Sequence, residues 1–289
     1  MIRVGNIDLW TESFGDPSEP TVLLIQGPAS GLVWPDELCD GLAAGRRHVI
    51  RYDHRDTGRS STIDFATLPY TLSDLAADAV GVLDAYGVRI AHVVGFSGGG
   101  MAAQVVALEH RDRVASLTSW SSTPLAVSFV AGDPAGGALP GPDPDVVQVI
   151  VEAGQATDDA ARVESTVAVL RAYAGTLEFD EAEARARVGR VVTHTRDHAA
   201  FANHWLAWAA SPDRTEVLAD LTVPALVIHG TADRIVPPVH GEATAQAIPG
   251  AKLLMVDGMG HDFPRPALDR IVPAILEHTA LVGAGEAGA

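Results

Sequence analysis

At 289 residues the chain is slightly longer than one compact core usually holds, so one domain carrying an insertion is the simplest architecture. Hydrophobic residues make up 47%, enough for a large core, yet no apolar run approaches the roughly 18 residues of a membrane span. A net charge of −17 argues against nucleic acid and anionic membrane surfaces as partners. Cys39 is the only cysteine, which excludes an internal disulfide. The start, Met1 to Asp8, has no apolar signal region, so a cytoplasmic location is expected.

Ile2, Val4, Ile7 and Leu9 alternate around Gly5-Asn6 and predict an opening antiparallel pair. Thr21 to Ile25 is a continuous apolar run of strand length, as a strand buried on both faces requires. A glycine-containing loop follows from Gln26 to Val33. Trp34-Pro35-Asp36-Glu37 then opens a helix to about Ala44, with acids where the helix dipole favours them. Cys39 falls in that helix and reads as core filler. His48 to Tyr52 is the next strand, and Asp53 to Ser60 is a polar turn. Thr71 or Ser73 caps a helix to about Tyr86. Val93-Val94 leads into Gly95-Phe96-Ser97-Gly98-Gly99 and a helix to about His110, and Val114 to Trp120 is again a strand.

Strands alternating with helices predict an α/β fold, a mainly parallel twisted sheet flanked by helices. The alternation stops between about 124 and 212. A Gly/Pro/Asp-rich stretch, Gly132 to Pro144, is followed there by helical patterns near 146–153, 160–173, 181–192 and 197–209. Strands return at Pro224–His229 and Lys252–Val256, with helices at Val239–Ala247 and Ala267–Leu281 and a frayed tail from Gly283. The expected organisation is a core of residues 1–123 and 213–289 with a helical insertion at 124–212.

Gly95-Phe96-Ser97-Gly98-Gly99 has the form G-x-S-x-G between a strand and a helix, the nucleophile elbow. Such a turn holds serine at a strained position above the sheet, and the start of the helix favours developing negative charge. Serine needs a base and an orienting acid, which after an elbow come in the order Ser, Asp or Glu, His. Asp233 lies in the loop after the 225–228 run, and His261 in the loop after the 253–256 run. Active sites of open α/β sheets gather at such carboxyl ends. Asp257 and Asp262 are too near His261 in sequence for triad geometry. The Val114–Trp120 strand is followed by Ser121, Ser122 and Thr123 rather than an acid. Ser97, Asp233 and His261 are therefore the expected catalytic set. His194 and His198 are four apart, but no third ligand forms a recognisable pattern, so neither metal nor cofactor is expected.

The Gly95–Gly99 elbow, the Asp53–Ser60 turn, His229 to Asp233 and Gly258-Met259-Gly260-His261 resemble the α/β-hydrolase family over essentially the whole chain. Trp34 to Glu37 and Arg51 to Ser60 look most similar to aclacinomycin methylesterase-like bacterial hydrolases. The resemblance implies Ser97 as nucleophile, His261 as general base, Asp233 as its partner, and the insertion as a cap over the pocket. It also implies cleavage of a carboxylic ester, such as a methyl ester, of an apolar small molecule or natural product. Gly98 N–H, directly after the nucleophile, is the first oxyanion donor. The second comes from the loop after the 21–25 strand, where many family members carry His-Gly-x. Here the loop reads Gln26-Gly27-Pro28-Ala29, and Pro28 has no N–H to give. Either Gly27 or Ala29 supplies the donor in a shortened loop, or the Gln26 side-chain amide does, or the hole is incomplete. Trp205 or Trp208 of the cap, with Trp120 below, is expected to contact substrate. The same triad also serves C–C or lactone hydrolysis and perhydrolysis, and the Pro28 departure leaves open a non-hydrolytic cyclase, lyase or ligand-binding member.

Overall fold

The computed structural model describes residues 1–125 and 139–283, with side chains through residue 280. Most of the Gly132–Pro144 stretch and the tail from 284 lie outside the described residues. Strands β1 (Ile2–Val4) and β2 (Ile7–Leu9) form a two-stranded hairpin of their own, pairing Val4 with Ile7 across Gly5-Asn6. Gly5 turns there with φ +52°, a backbone conformation glycine adopts at no steric cost.

Among the described residues the main sheet has seven strands. β3 (Thr11–Phe14) is its antiparallel edge and pairs with β5 (His48–Tyr52). The remaining strands run parallel: β4 (Thr21–Ile25), β6 (Ala91–Phe96), β7 (Val114–Trp120), β8 (Ala225–Gly230) and β9 (Lys252–Val256). Their order is β3-β5-β4-β6-β7-β8-β9. All five residues of β4 and all six of β6 are buried, as strands covered on both faces must be.

Side-chain alternation divides the core in two. Leu23, Ile25 and Val93 face one cluster with helices α2 (Leu72–Ala85) and α3 (Gly98–Glu109). Val22, Leu24, Val94 and Phe96 face the other with α1 (Asp36–Ala44) and α9 (Arg265–Gly283). In α1, Cys39 is buried, and burial pushes its thiol up to about 12. At the start of α2, Asp74 accepts the Thr71 N–H at 2.8 Å, so Thr71 rather than Ser73 is the cap. Among the described residues no helix is long and apolar enough to cross a membrane.

Between β7 and β8 lie α4 (Pro144–Ala153), α5 (Asp159–Tyr173), α6 (Glu181–His194) and α7 (Asn203–Ala209). The last is shorter than its sequence pattern because Ala200–Ala202 tightens into a 3₁₀ turn first. Arg214 fastens the two ends of this segment together. Its guanidinium donates to Thr123 O at 3.2 Å, to Leu125 O at 2.8 Å and to Gln104 Oε1 at 3.0 Å. Burial among neutral carbonyls lowers its pKa to about 10. α8 (Val239–Ala247) returns the chain to the sheet beside β8 and β9.

Several histidines are buried in this core. Burial lowers the pKa of His54 to about 3 and that of His92 to about 4, and it lowers His204, His229 and His278 as well. Each such group takes up its proton more readily unfolded than folded. Stability is therefore full above the unfolded value of about 6.5 and is lost as pH falls below it. Urea unfolding at pH 7 and pH 5 should show a clear loss at the lower pH. His92→Gln should reduce that loss by about 1–2 kcal/mol. An unfolding midpoint that does not move between the two pH values would contradict this account.

Candidate active site

Ser97 sits between β6 and α3 with φ 57° and ψ −125°, a conformation side chains adopt only under constraint. The constraint is steric. A Cβ on Gly95 would run into Gly99 O, and one on Gly99 into Ile25 O. Hydrogen bonds then lock the turn. Ser97 N–H donates to Trp120 O at 2.9 Å, and Ser122 Oγ donates to Ser97 O at 2.8 Å. The outcome is a partly exposed hydroxyl above the carboxyl end of the sheet.

The loops after β8 and β9 bring the other two groups to it. His261 Nε2 lies 3.0 Å from Ser97 Oγ, and His261 Nδ1 lies 2.7 Å from Asp233 Oδ2. The carboxylate accepts, so Nδ1 carries the proton and Nε2 is free to accept from the serine. Asp233 is fully enclosed. Its Oδ1 accepts the N–H groups of Ile235 at 2.9 Å and Val236 at 2.8 Å. Burial alone would raise its pKa. The His261 charge and hydrogen bond, His229 nearby and the Val236 N–H outweigh burial and hold the carboxyl below its usual range.

The inserted segment grips the histidine loop. His261 N–H donates to Tyr173 O at 2.9 Å, and Thr176 N–H donates to Gly258 O at 2.8 Å. A Cβ on Gly260 would overlap Tyr173 O, so this loop is glycine-rich for close approach. The Tyr173 ring stands edge-on to the His261 ring at 5.4 Å. From α6, buried Arg187 pairs with Asp262 at 3.1 Å and lies over the Phe263 ring. Asp262 is thus occupied by an arginine, and Asp257 accepts from Thr231 Oγ1 at 3.2 Å; neither approaches the His261 ring as a partner.

The Asp53–Ser60 turn is a hub. Asp53 is fully buried and takes Ser30 Oγ at 2.6 Å, Gly31 N–H at 2.8 Å, Arg59 N–H at 2.8 Å and His194 Nε2 at 2.7 Å. His54 Nε2 donates to Gln26 O at 2.9 Å. The turn therefore holds both ends of the 26–31 loop and the end of α6. His194 spends its Nε2 here, and His198 lies against Asp159. Among the described residues no group of three or more His, Cys, Asp or Glu is arranged to hold a metal ion.

Gly27 lies against the elbow, where a Cβ would stand 3.5 Å from Gly98 N. Ala29 N–H is spent on Gly27 O at 2.7 Å, which removes Ala29 from the expected oxyanion donors. Pro28, between them, has no N–H. The three tryptophans separate. Trp120 is fully buried among Trp34, Phe96 and Phe263, so the expected substrate contact is corrected to a wall behind Phe96 and His261. Trp208 packs on Gly98. Trp205 stacks edge-on against Trp208 at 4.7 Å.

A family model described as alpha/beta hydrolase fold matches residues 20–264. The chain belongs to the α/β-hydrolase family. It is 37% identical to rhodomycin D methylesterase DauP of Streptomyces sp. (strain C5), over 96% of this chain and 97% of that protein. The same identity and shares hold for rhodomycin D methylesterase DnrP of Streptomyces peucetius. Among solved structures, the esterase RhEst1 from Rhodococcus sp. ECU1013 superposes with TM-score 0.77 at 22% identity, covering 96% of each chain. That last likeness concerns the fold alone.

The sequence pointed to Ser97, Asp233 and His261 but not to Tyr173, Arg187 or Ser122. Asp53 was visible only as part of a motif. Removing one partner of a buried ion pair leaves an uncompensated charge and typically costs about 3–5 kcal/mol. Arg187→Leu should therefore lower stability by about that amount in chemical denaturation, and Arg187→Leu with Asp262→Asn should recover most of it. A double variant as unstable as the single one would show that Asp262 is not the group left stranded.

Proposed function

We propose that this protein is a cofactor-independent serine hydrolase that cleaves a carboxylic ester, in the first instance a methyl ester, of an apolar small molecule or natural product. The observation that carries this reading is the continuous hydrogen-bond chain from Ser97 Oγ through His261 to buried Asp233. The likeness to two rhodomycin D methylesterases over 96% of this chain supports the methyl ester. In the proposed organisation, residues 1–123 and 213–289 form the catalytic core, and 124–212 form a helical cap over it.

The chemistry follows from the geometry. Ser97 Oγ attacks the ester carbonyl while His261 Nε2 takes its proton. Asp233 fixes the tautomer and offsets the charge on the imidazolium. The oxyanion forms beside Gly98 N–H at the start of α3, where the helix dipole assists. Collapse expels the alcohol, which receives the proton from His261 and leaves an acyl-serine. Water then repeats the sequence and releases the acid. Trp205 and Trp208 would enclose the apolar part of the substrate.

Intact mass after a fluorophosphonate probe should show one adduct on the wild type and none on Ser97→Ala. A methyl-ester panel should show turnover with the same dependence. Asp233→Asn should keep the fold and lower kcat by about 10⁴, because the histidine then holds the wrong tautomer. No adduct and no turnover on well-folded wild type would overturn the hydrolase reading and move attention to ligand binding or non-hydrolytic chemistry.

A further inference from the structure

The elbow explains Gly95 and Gly99 but not Gly98. At the residue directly after Ser97 the three atoms that a Cβ would meet first are all side-chain atoms rather than backbone. What excludes one here is Trp208. A Cβ on Gly98 would overlap Cζ2 of that indole and stand 2.9 Å from Cε2. The benzo edge of the indole faces Gly98, and Cε2 is the ring atom bonded to Nε1, so the indole nitrogen is one bond beyond that contact. That N–H is buried, on a side chain only 4% exposed, and has no partner among the described residues. Indole Nε1 can only donate, and burying a donor without an acceptor is unfavourable. Among the described residues Trp34 and Trp120 also leave their indole N–H unpaired, within the aromatic cluster, so what singles out Trp208 is its place against Gly98, where a substrate oxygen can supply the acceptor.

On the other side of the oxyanion position the usual backbone donor is missing, which leaves Gly27 N–H and the Gln26 side-chain amide as the donors that loop still carries. Pro28 has none, and Ala29 N–H is committed to Gly27 O. Gln26 is buried with an unpaired side-chain oxygen, but its backbone carbonyl is held under His54. We propose that the Nε1–H of Trp208 is the second oxyanion donor, standing in for the backbone N–H that Pro28 lacks. This rests on the hydrolase reading above. As the Ser97 Oγ–carbon bond forms, the carbonyl π pair moves onto oxygen and the serine proton goes to His261 Nε2. Gly98 N–H and Trp208 Nε1–H both donate to that oxygen and keep their protons. The pair returns as the alkoxide leaves.

Trp208→Phe keeps an aromatic ring on α7 and removes the N–H. With p-nitrophenyl butyrate, kcat should fall about 10²–10³-fold. KM should change little, because the lost bond is made mainly to the oxyanion. The affinity of a phenylboronic acid, which forms a tetrahedral adduct on the serine, should fall in parallel. A variant with wild-type kcat, or one with raised KM and unchanged kcat, would overturn the proposal and leave Trp208 as an apolar wall. Loss of rate in Gln26→Leu with Trp208→Phe unaffected would also overturn it and reassign the donor. Should the variant not fold, ¹⁵N-indole spectra of the wild type decide. The Trp208 proton should move downfield on boronic acid binding, and an unchanged resonance overturns the role. Wild type with no turnover would instead overturn the hydrolase reading itself, which Ser97 labelling reports separately.

Discussion

The near-collision of β6 and α3 at Ser97 is the constraint on which the site depends. Gly95 and Gly99 carry no Cβ because Gly99 O and Ile25 O occupy the space. That closeness forces Ser97 to φ 57° and lifts its hydroxyl above the sheet. Such strain persists only where the surroundings over-determine it. Here they do, through Trp120 O below, Ser122 Oγ on the carbonyl, and the aromatic cluster of Trp34, Phe96, Trp120 and Phe263 behind. Phe96 links the two halves of the arrangement, since it precedes Ser97 and its ring lies 4.8 Å from the His261 ring.

Everything else in the site is a loop brought to that point by a strand, and each loop is held from two sides. The sheet fixes where each loop begins. The helical segment between β7 and β8 fixes how it ends: Tyr173 O on His261 N–H, Arg187 on Asp262, and His194 on Asp53. Asp53 passes the same hold on to Ser30 and Gly31, beyond Pro28. The helices between β7 and β8 are therefore part of the framework that holds the site's loops. They share buried hydrogen bonds and an ion pair with two of its loops, the one after β9 and the one after β5. Moving them requires breaking polar contacts that are expensive to leave unmade.

This division explains what could be read from the sequence. The parallel strands β4 to β9 announce themselves as apolar runs, and the ends of β4, β5, β7 and β9 fall where the runs end. Ser97, Asp233 and His261 each follow such a run, so their order and placement were legible before any contact was known. The links across the inserted segment were not. His194 and Asp53 are 141 positions apart, and nothing local in α6 distinguishes a histidine aimed at a carboxylate from one aimed at solvent. Tyr173 acts through its backbone carbonyl, which carries no residue-type signal at all. Trp120, expected against the substrate below the cap tryptophans, ends its strand beside the elbow. The alternation that turns Ser119 to one face turns Trp120 into the aromatic cluster on the other.

Gly98 is the residue at which these two kinds of information meet. Its neighbours in the motif are small because backbone crowds them, which the motif itself explains. Gly98 is small because a tryptophan 110 positions later needs its place, by the count from residue 98 to residue 208. Where the oxyanion is held only by backbone N–H groups, a core can assemble the hole without its covering helices. With Pro28 silent and Ala29 turned back on Gly27, this core offers Gly98 from the elbow and lacks the usual partner. A donor delivered by α7 would make enclosing the substrate and completing the oxyanion hole the same event.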